Sequence, residues 1–266
     1  MLRSMFLSFF HNRAVLKQFT KREVVGRYKG SHLGLLWTFI NPILMLVVYT
    51  FVFSEIFNAR WGNTEANKVE FALIIFTGLT VFNIFSEVIS RAPGLIVGNS
   101  NLVTKVVFPL EILPISILGS SLIHACINLS ILLTCLITML GVLQWTLFLL
   151  PLVLLPLLLM TIGLSWILAS LGVYLRDLSQ FVGIVIQAIM LLSPIFYSVN
   201  AVPENLKFIY YINPISYVVE DTRRVVIWGQ MPQWSWLGIG TLIGAVVFIL
   251  GYIWFNKTKS GFSDVL

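Results

Sequence analysis

Charge is scarce in this chain. Asp, Glu, Lys and Arg make up 11% of its 266 residues, where a typical soluble domain carries roughly 25%. A soluble globular domain and a disordered chain are both excluded by that shortage together with long apolar runs. Cysteine is rare as well. Cys126 and Cys135 lie nine residues apart on what reads as one helix, a rise of roughly 13 Å that no disulfide spans. Both read as packing residues. There is no G-x-x-x-x-G-K-[ST] phosphate loop, and Gly is nowhere followed by Lys. Neither H-x-x-x-H nor C-x-x-C spacing offers a metal site, and no G-x-S-x-G elbow occurs. Acidic residues are also absent from the middle of the apolar runs, Glu87 and Glu111 falling at their edges. An ion-driven carrier places ionisable groups near mid-membrane, so energy for uphill movement has to come from a partner.

What is present is hydrophobic length. The hydrophobic fraction is 58%. Six stretches, at 33–54, 70–90, 112–140, 146–172, 179–197 and 236–255, approach or exceed the roughly 20 residues a helical crossing needs. Backbone in hydrocarbon must satisfy its own hydrogen bonds, so these spans are expected to be helices.

The net charge of +6 comes from few residues in telling places. Seven of the 17 Lys and Arg sit in residues 1–30, abutting the first stretch. That position marks the cytoplasmic side and suits anionic lipid, not nucleic acid. With the N-terminus inside, inner segments hold 12 Lys and Arg and outer segments five (Arg60, Lys68, Lys207, Arg223 and Arg224), which predicts both termini in the cytoplasm. Met1–Phe10 lacks an extended apolar region or a small-residue cleavage site and is not expected to be a signal peptide.

Residues 4–29 mix Phe6, Phe9, Phe10, Leu16 and Phe19 with a basic row at Arg13, Lys17 and Lys21. This pattern suits an amphipathic helix lying in the membrane interface. Pro42 is expected to kink the first helix or to mark its start. The segment 94–109 is too apolar for a free loop and too interrupted to span. Asn99 or Ser100 caps a short helix there, Pro109 stops it, and such a helix suits docking of another protein. Ser116, Ser120, His124 and Asn128 recur every four residues along the third stretch, a polar stripe that should face protein or water. His124 reads as a packing residue. Pro156 should bend the fourth helix, and Gln180, Gly183 and Gln187 form a second polar stripe on the fifth, which stops at Ser193-Pro194. The outer connection 198–235 carries Phe208, Tyr210, Tyr211, Tyr217 and Trp228 among other apolar residues. Two short amphipathic helices dipping into the outer leaflet, broken near Asn213-Pro214, account for that load.

The order and spacing of several motifs resemble the membrane-spanning subunit of type-2 ABC transporters, in the branch that exports bacterial polysaccharides such as O antigen, capsule and teichoic acid. They are Arg27-Tyr-Lys-Gly-Ser-His-Leu-Gly-Leu-Leu-Trp37 leading to Asn41-Pro42, Asn101-Leu-Val-Thr-Lys-Val-Val-Phe-Pro109, Tyr174-Leu-Arg-Asp177, Ser193-Pro-Ile-Phe-Tyr197 and Asn213-Pro214. The resemblance runs from about residue 10 to residue 258. It implies an all-α polytopic membrane protein of six transmembrane helices with an interfacial helix at the start and a re-entrant pair before the last helix. The corresponding segments are a cytoplasmic 1–32, a transmembrane domain 33–255 and a tail 256–266.

The resemblance also implies roles. A coupling helix at about 94–105, with Asn99, Asn101, Leu102 and Lys105, would seat in the ATP-hydrolysing subunit. Segment 200–229, with Tyr210, Tyr211, Pro214 and Tyr217, would gate the outer mouth. The first and fifth helices would line a channel at a homodimer interface, making Trp37, Phe39, Tyr49, Gln187 and Tyr197 the candidate polymer contacts. Weak stacking of sugar rings on aromatic faces would let a chain bind and be released; an ordinary aromatic belt is the competing explanation for each of these residues. The expected partners are a second copy, two nucleotide-binding subunits carrying ATP and Mg, lipid-linked polysaccharide and membrane lipid. This chain is expected to hold no cofactor, metal or catalytic residue. The same architecture exporting a drug or simple lipid stays open. A membrane-embedded transferase fits less well, because Glu55, Glu65, Asp177 and Asp221 do not cluster in sequence, and a channel or scaffold without an energy source is a further alternative.

Overall fold

The structure, a computed structural model, describes residues 12–27, 29–52, 68–105 and 108–266. Every element among them is helical. We number the α-helices α1 (Arg13–Gly26), α2 (Trp37–Tyr49), α3 (Lys68–Arg91), α4 (Ser100–Thr104), α5 (Ile112–Cys135), α6 (Leu150–Tyr174), α7 (Leu178–Leu192), α8 (Lys207–Ile212), α9 (Pro214–Val226), α10 (Trp234–Thr258) and α11 (Phe262–Val265). Four helical segments are long and apolar enough to cross a membrane: Val69–Arg91, Ile112–Leu140, Trp145–Tyr174 and Trp234–Val265. The first and fifth expected crossings are shorter apolar helices, Trp37–Val52 and Leu178–Leu192. The fifth is short because Pro194 cannot donate the backbone bond that would extend it, and Ser193 is already extended. Phe6, Phe9, Phe10 and all but the last two residues of the expected outer connection 55–69 lie outside the described residues.

Helix α3 is the centre of the bundle. It is apolar around most of its circumference, as a helix enclosed by neighbours must be, and Ile75 and Val88 have no exposed surface. It touches α2, α5, α6, α7 and α9. The most extensive pairing is α6 with α10, where lipid offers no hydrophobic drive and close backbone approach must supply the attraction. Gly163 and Gly251 meet backbone to backbone, and a Cβ on Gly163 would overlap the Val247 carbonyl. Trp166 fills the neighbouring layer between Phe248 and Tyr252, with ring centroids at 5.1 and 5.4 Å. Its indole N–H donates to the Glu111 carbonyl at 3.1 Å, so the buried ring leaves no donor unsatisfied.

Proline and hydroxyl residues settle locally. Pro42 and Pro156 both sit inside continuous helices, so α2 begins at Trp37, ahead of Pro42. Thr77, Thr80, Thr134, Thr138, Thr222 and Thr241 each donate a hydroxyl to the carbonyl one turn back, at 2.7–2.8 Å. That bond lets a polar side chain sit in an apolar setting.

Candidate functional site

Helix α1 is bound to the bundle by packing and charge. Its basic row, Arg13, Lys17 and Lys21, faces solvent. The opposite side lies along α5, where Thr20 packs onto Gly119 and the Phe19 ring meets Phe108 at 5.0 Å. Phe19 therefore packs on protein, not on lipid alone. Glu23 of α1 pairs with Arg91 at the end of α3 and with Arg22 at 3.5 Å. Arg27 pairs with Glu87, which also lies 3.9 Å from Arg91. Arg22 reaches onward to the Asn99 carboxamide oxygen at 3.3 Å. One polar network thus joins α1, the end of α3 and the segment leading into α4.

That segment contains the expected short helix, as a 3-10 turn Val97–Asn99 followed by α4. Asn99 is the residue before the helix, but its side chain does not cap it. The amide donates instead to the Leu95 carbonyl at 2.9 Å, and the oxygen is engaged by Arg22. The helix ends at Thr104, before Pro109 is reached. Of the four residues expected to dock a partner, Asn101 and Lys105 are exposed, Asn99 is half-buried, and Leu102 packs inward on the core. Exposed Val97 adds an apolar contact point beside them.

At the opposite end of the bundle, α8 and α9 break at Asn213-Pro214, as the spacing predicts. The Asn213 carboxamide oxygen accepts from the Ile215 amide at 3.1 Å and its amide donates to Ser193 Oγ at 2.8 Å. Pro214 occupies the first turn of α9, where its missing N–H costs nothing. Tyr210, Tyr211 and Tyr217 gather into one cluster with Trp236 of α10, which the sequence reading did not single out. Tyr217 stacks on Trp236 at 4.3 Å, and Tyr210 meets Tyr217 at 5.1 Å. Nearby, a 2.5 Å bond to Glu204 holds the Lys207 ammonium above its usual pKa.

Arg223 of α9 is fully buried and was counted from the sequence only as an outer charge. Its guanidinium donates to the Ile74 carbonyl of α3 at 3.1 Å. It also donates to Pro194 and Ile195, just past the end of α7, at 2.6 and 2.9 Å. Glu220 lies 3.4 Å away. Gly78 provides the room, since a Cβ there would stand 2.7 Å from Nη2. A signal was available: Arg223 falls on the face that carries Val219 and Val226, and a cation on an apolar face needs partners.

The five candidate polymer contacts do not converge. Trp37 is half-buried with its indole N–H on Ser31 at 3.0 Å, whereas Phe39 and Gln187 are exposed. Tyr197 donates to the Leu192 carbonyl at 3.1 Å. Tyr49 lies 6.2 Å from the Phe196 ring and lines a polar cavity between α2, α3, α5 and α7. His124 and Asn128, the C-terminal half of the α5 stripe, face that same cavity.

A bundle of long apolar helices, with a charged network at one end and an aromatic helix pair at the other, has the make-up of a multi-pass membrane protein. Residues 14–227 match the ABC-2 type transporter family, and the chain belongs to it. It is 26% identical over 249 residues to an O-antigen export system permease protein of Klebsiella pneumoniae, covering 93% of each chain. A Myxococcus xanthus protein described in the same words is 30% identical over 231 residues, with 84% of each chain covered. The polysialic acid transport protein KpsM of Escherichia coli is 24% identical over 233 residues, 86% of this chain and 88% of that one.

Proposed function

We propose that the chain is the membrane permease of an ATP-driven exporter that moves a lipid-linked, O-antigen-like polysaccharide across the bacterial inner membrane. The observation that carries this reading is the likeness, over most of both chains, to proteins described as O-antigen export permeases. In this reading the six apolar segments are crossings, with both termini in the cytoplasm, and the chain pairs with a second copy along α2 and α7. Those helices support the pairing by exposing Phe39, Met45, Val47, Phe181 and Ile184. Two nucleotide-binding subunits, holding ATP and Mg, dock on Asn101, Lys105 and Val97. Helices α8 and α9 are a re-entrant gate at the outer mouth.

The polar network at α1 supports the mechanical side of the reading. A push on α4 reaches Asn99, then Arg22 and Glu23 of α1, and from there Arg91 of α3. Because α3 also contacts Arg223 through Ile74, the central helix joins the driven end of the bundle to its gate.

Deletion of the gene tests the reading. Surface glycan should disappear while lipid-linked polymer accumulates inside, and the tagged chain should copurify with an ATPase in a complex of two copies each. Unchanged surface glycan would move the cargo to a drug or simple lipid, and absence of any ATPase in the complex would overturn the exporter reading altogether.

A further inference from the structure

The cavity between α2, α3, α5 and α7 has a volume of about 410 Å³, within the range of roughly 300–1,000 Å³ typical of small-ligand sites. Polar side chains make up much of its lining. Three helices each contribute one carboxamide: Asn41 from α2, Asn83 from α3 and Asn128 from α5. None of these three side chains bonds another of the described residues. The Thr38 hydroxyl also lines the cavity. It is 95% buried by residue, being 5% exposed, and has no hydrogen-bond partner among the described residues. A buried polar atom left without a partner by the described residues calls for one from elsewhere.

We propose that this cavity is a sugar-binding station, which takes a neutral, hydroxyl-rich segment of the exported glycan between α2, α3 and α5. The proposal rests on the polysaccharide reading above and goes further, assigning one site within the protomer. Charge balance selects the ligand class: the guanidinium on the cavity wall, Arg27, is already paired with the carboxylate there, Glu87. An anionic head group therefore finds little net attraction. Carboxamides and hydroxyls, by contrast, both donate and accept, which matches the two-way bonding of a sugar hydroxyl. Tyr49 and Phe76 add flat apolar faces to the same wall, suited to the C–H face of a pyranose ring. His124 supplies a further ring nitrogen and stands here as a lining residue as well as a packing one.

The test uses the assembled exporter in its own membrane. A photo-crosslinking amino acid replaces Asn83, which is exposed at the rim, or in a control Leu242 on the outside of α10. Irradiation during export is expected to attach glycan to the chain at Asn83 and not at Leu242. Crosslinks to lipid alone, or to nothing, overturn the station. In parallel, Asn128→Leu should lower surface glycan about tenfold at unchanged protein level, the scale of one or two lost hydrogen bonds, and Asn128→Gln should restore most of it. Full surface glycan in the Asn128→Leu strain, where gene deletion abolishes it, overturns the station alone. Unchanged glycan on gene deletion removes the reading beneath it.

Discussion

Arg223 ties three parts of the chain together with one side chain. Its donors reach α3 and the irregular backbone after α7, so α9 cannot shift without changing partners. Two of those carbonyls, of Pro194 and Ile195, are available because α7 has already ended at Leu192 and no helical donor follows to take them. Replacing Arg223 by Met removes three charge-assisted bonds and strands the carbonyls, a loss of about 3–5 kcal/mol. The melting temperature of the purified complex should fall by roughly 6–12 °C. Gly78→Val should reproduce part of this loss without touching the arginine, because its side chain takes the guanidinium's space. A melting temperature within about 2 °C of the parent in both variants would contradict this role.

At the scale of elements, α1 is where charge and packing divide the work. Its ion pairs are partly exposed, with Arg22 and Arg91 side chains 52% and 40% accessible. Such pairs contribute at most about 1 kcal/mol each, so Glu23→Gln should leave assembly and melting nearly unchanged. Transport per ATP hydrolysed should nevertheless drop several-fold, because the link from Asn99 through α1 to α3 is cut. Normal coupling in that variant, measured as glycan exported against phosphate released, would contradict the link. The α6–α10 seam responds in the opposite way. Gly163→Leu forces a side chain into the Val247 carbonyl, so the chain should fail to accumulate in the membrane.

Much of this element scale was legible in the sequence. Run length located α3, α5, α6 and α10, and Pro194 and Asn213-Pro214 located the end of α7 and the α8–α9 break, because each break has a local backbone cause. The α5 stripe correctly placed Ser116, Ser120, His124 and Asn128 on an inward face. What stayed hidden depends on which faces meet. No periodicity tells that Trp236 stacks on Tyr217, that Leu102 turns inward while Asn101 turns out, or that Asn41, Asn83 and Asn128 share one cavity. Arg223 was hidden for a different reason, since counting charges by loop ignores where each side chain points.

For the whole molecule, the inside-to-outside ratio of 12 to five Lys and Arg sets an expected topology. Reporter fusions at both ends should be active only in the cytoplasm, and a reporter placed in the expected outer connection 55–69 only outside. Lys105 matters at this scale because it faces away from the bundle. Lys105→Glu should weaken capture of the ATPase without hindering membrane insertion, measured by copurification at increasing salt.

The most direct measurement is transport by the purified complex in sealed vesicles loaded with lipid-linked polymer on one face. The account predicts that added ATP moves polymer to the far face, where a glycosidase cleaves it. It also predicts that omission of this chain, or a catalytically dead ATPase subunit, abolishes that cleavage. Equal cleavage with and without ATP, or full transport in vesicles lacking this chain, would contradict it.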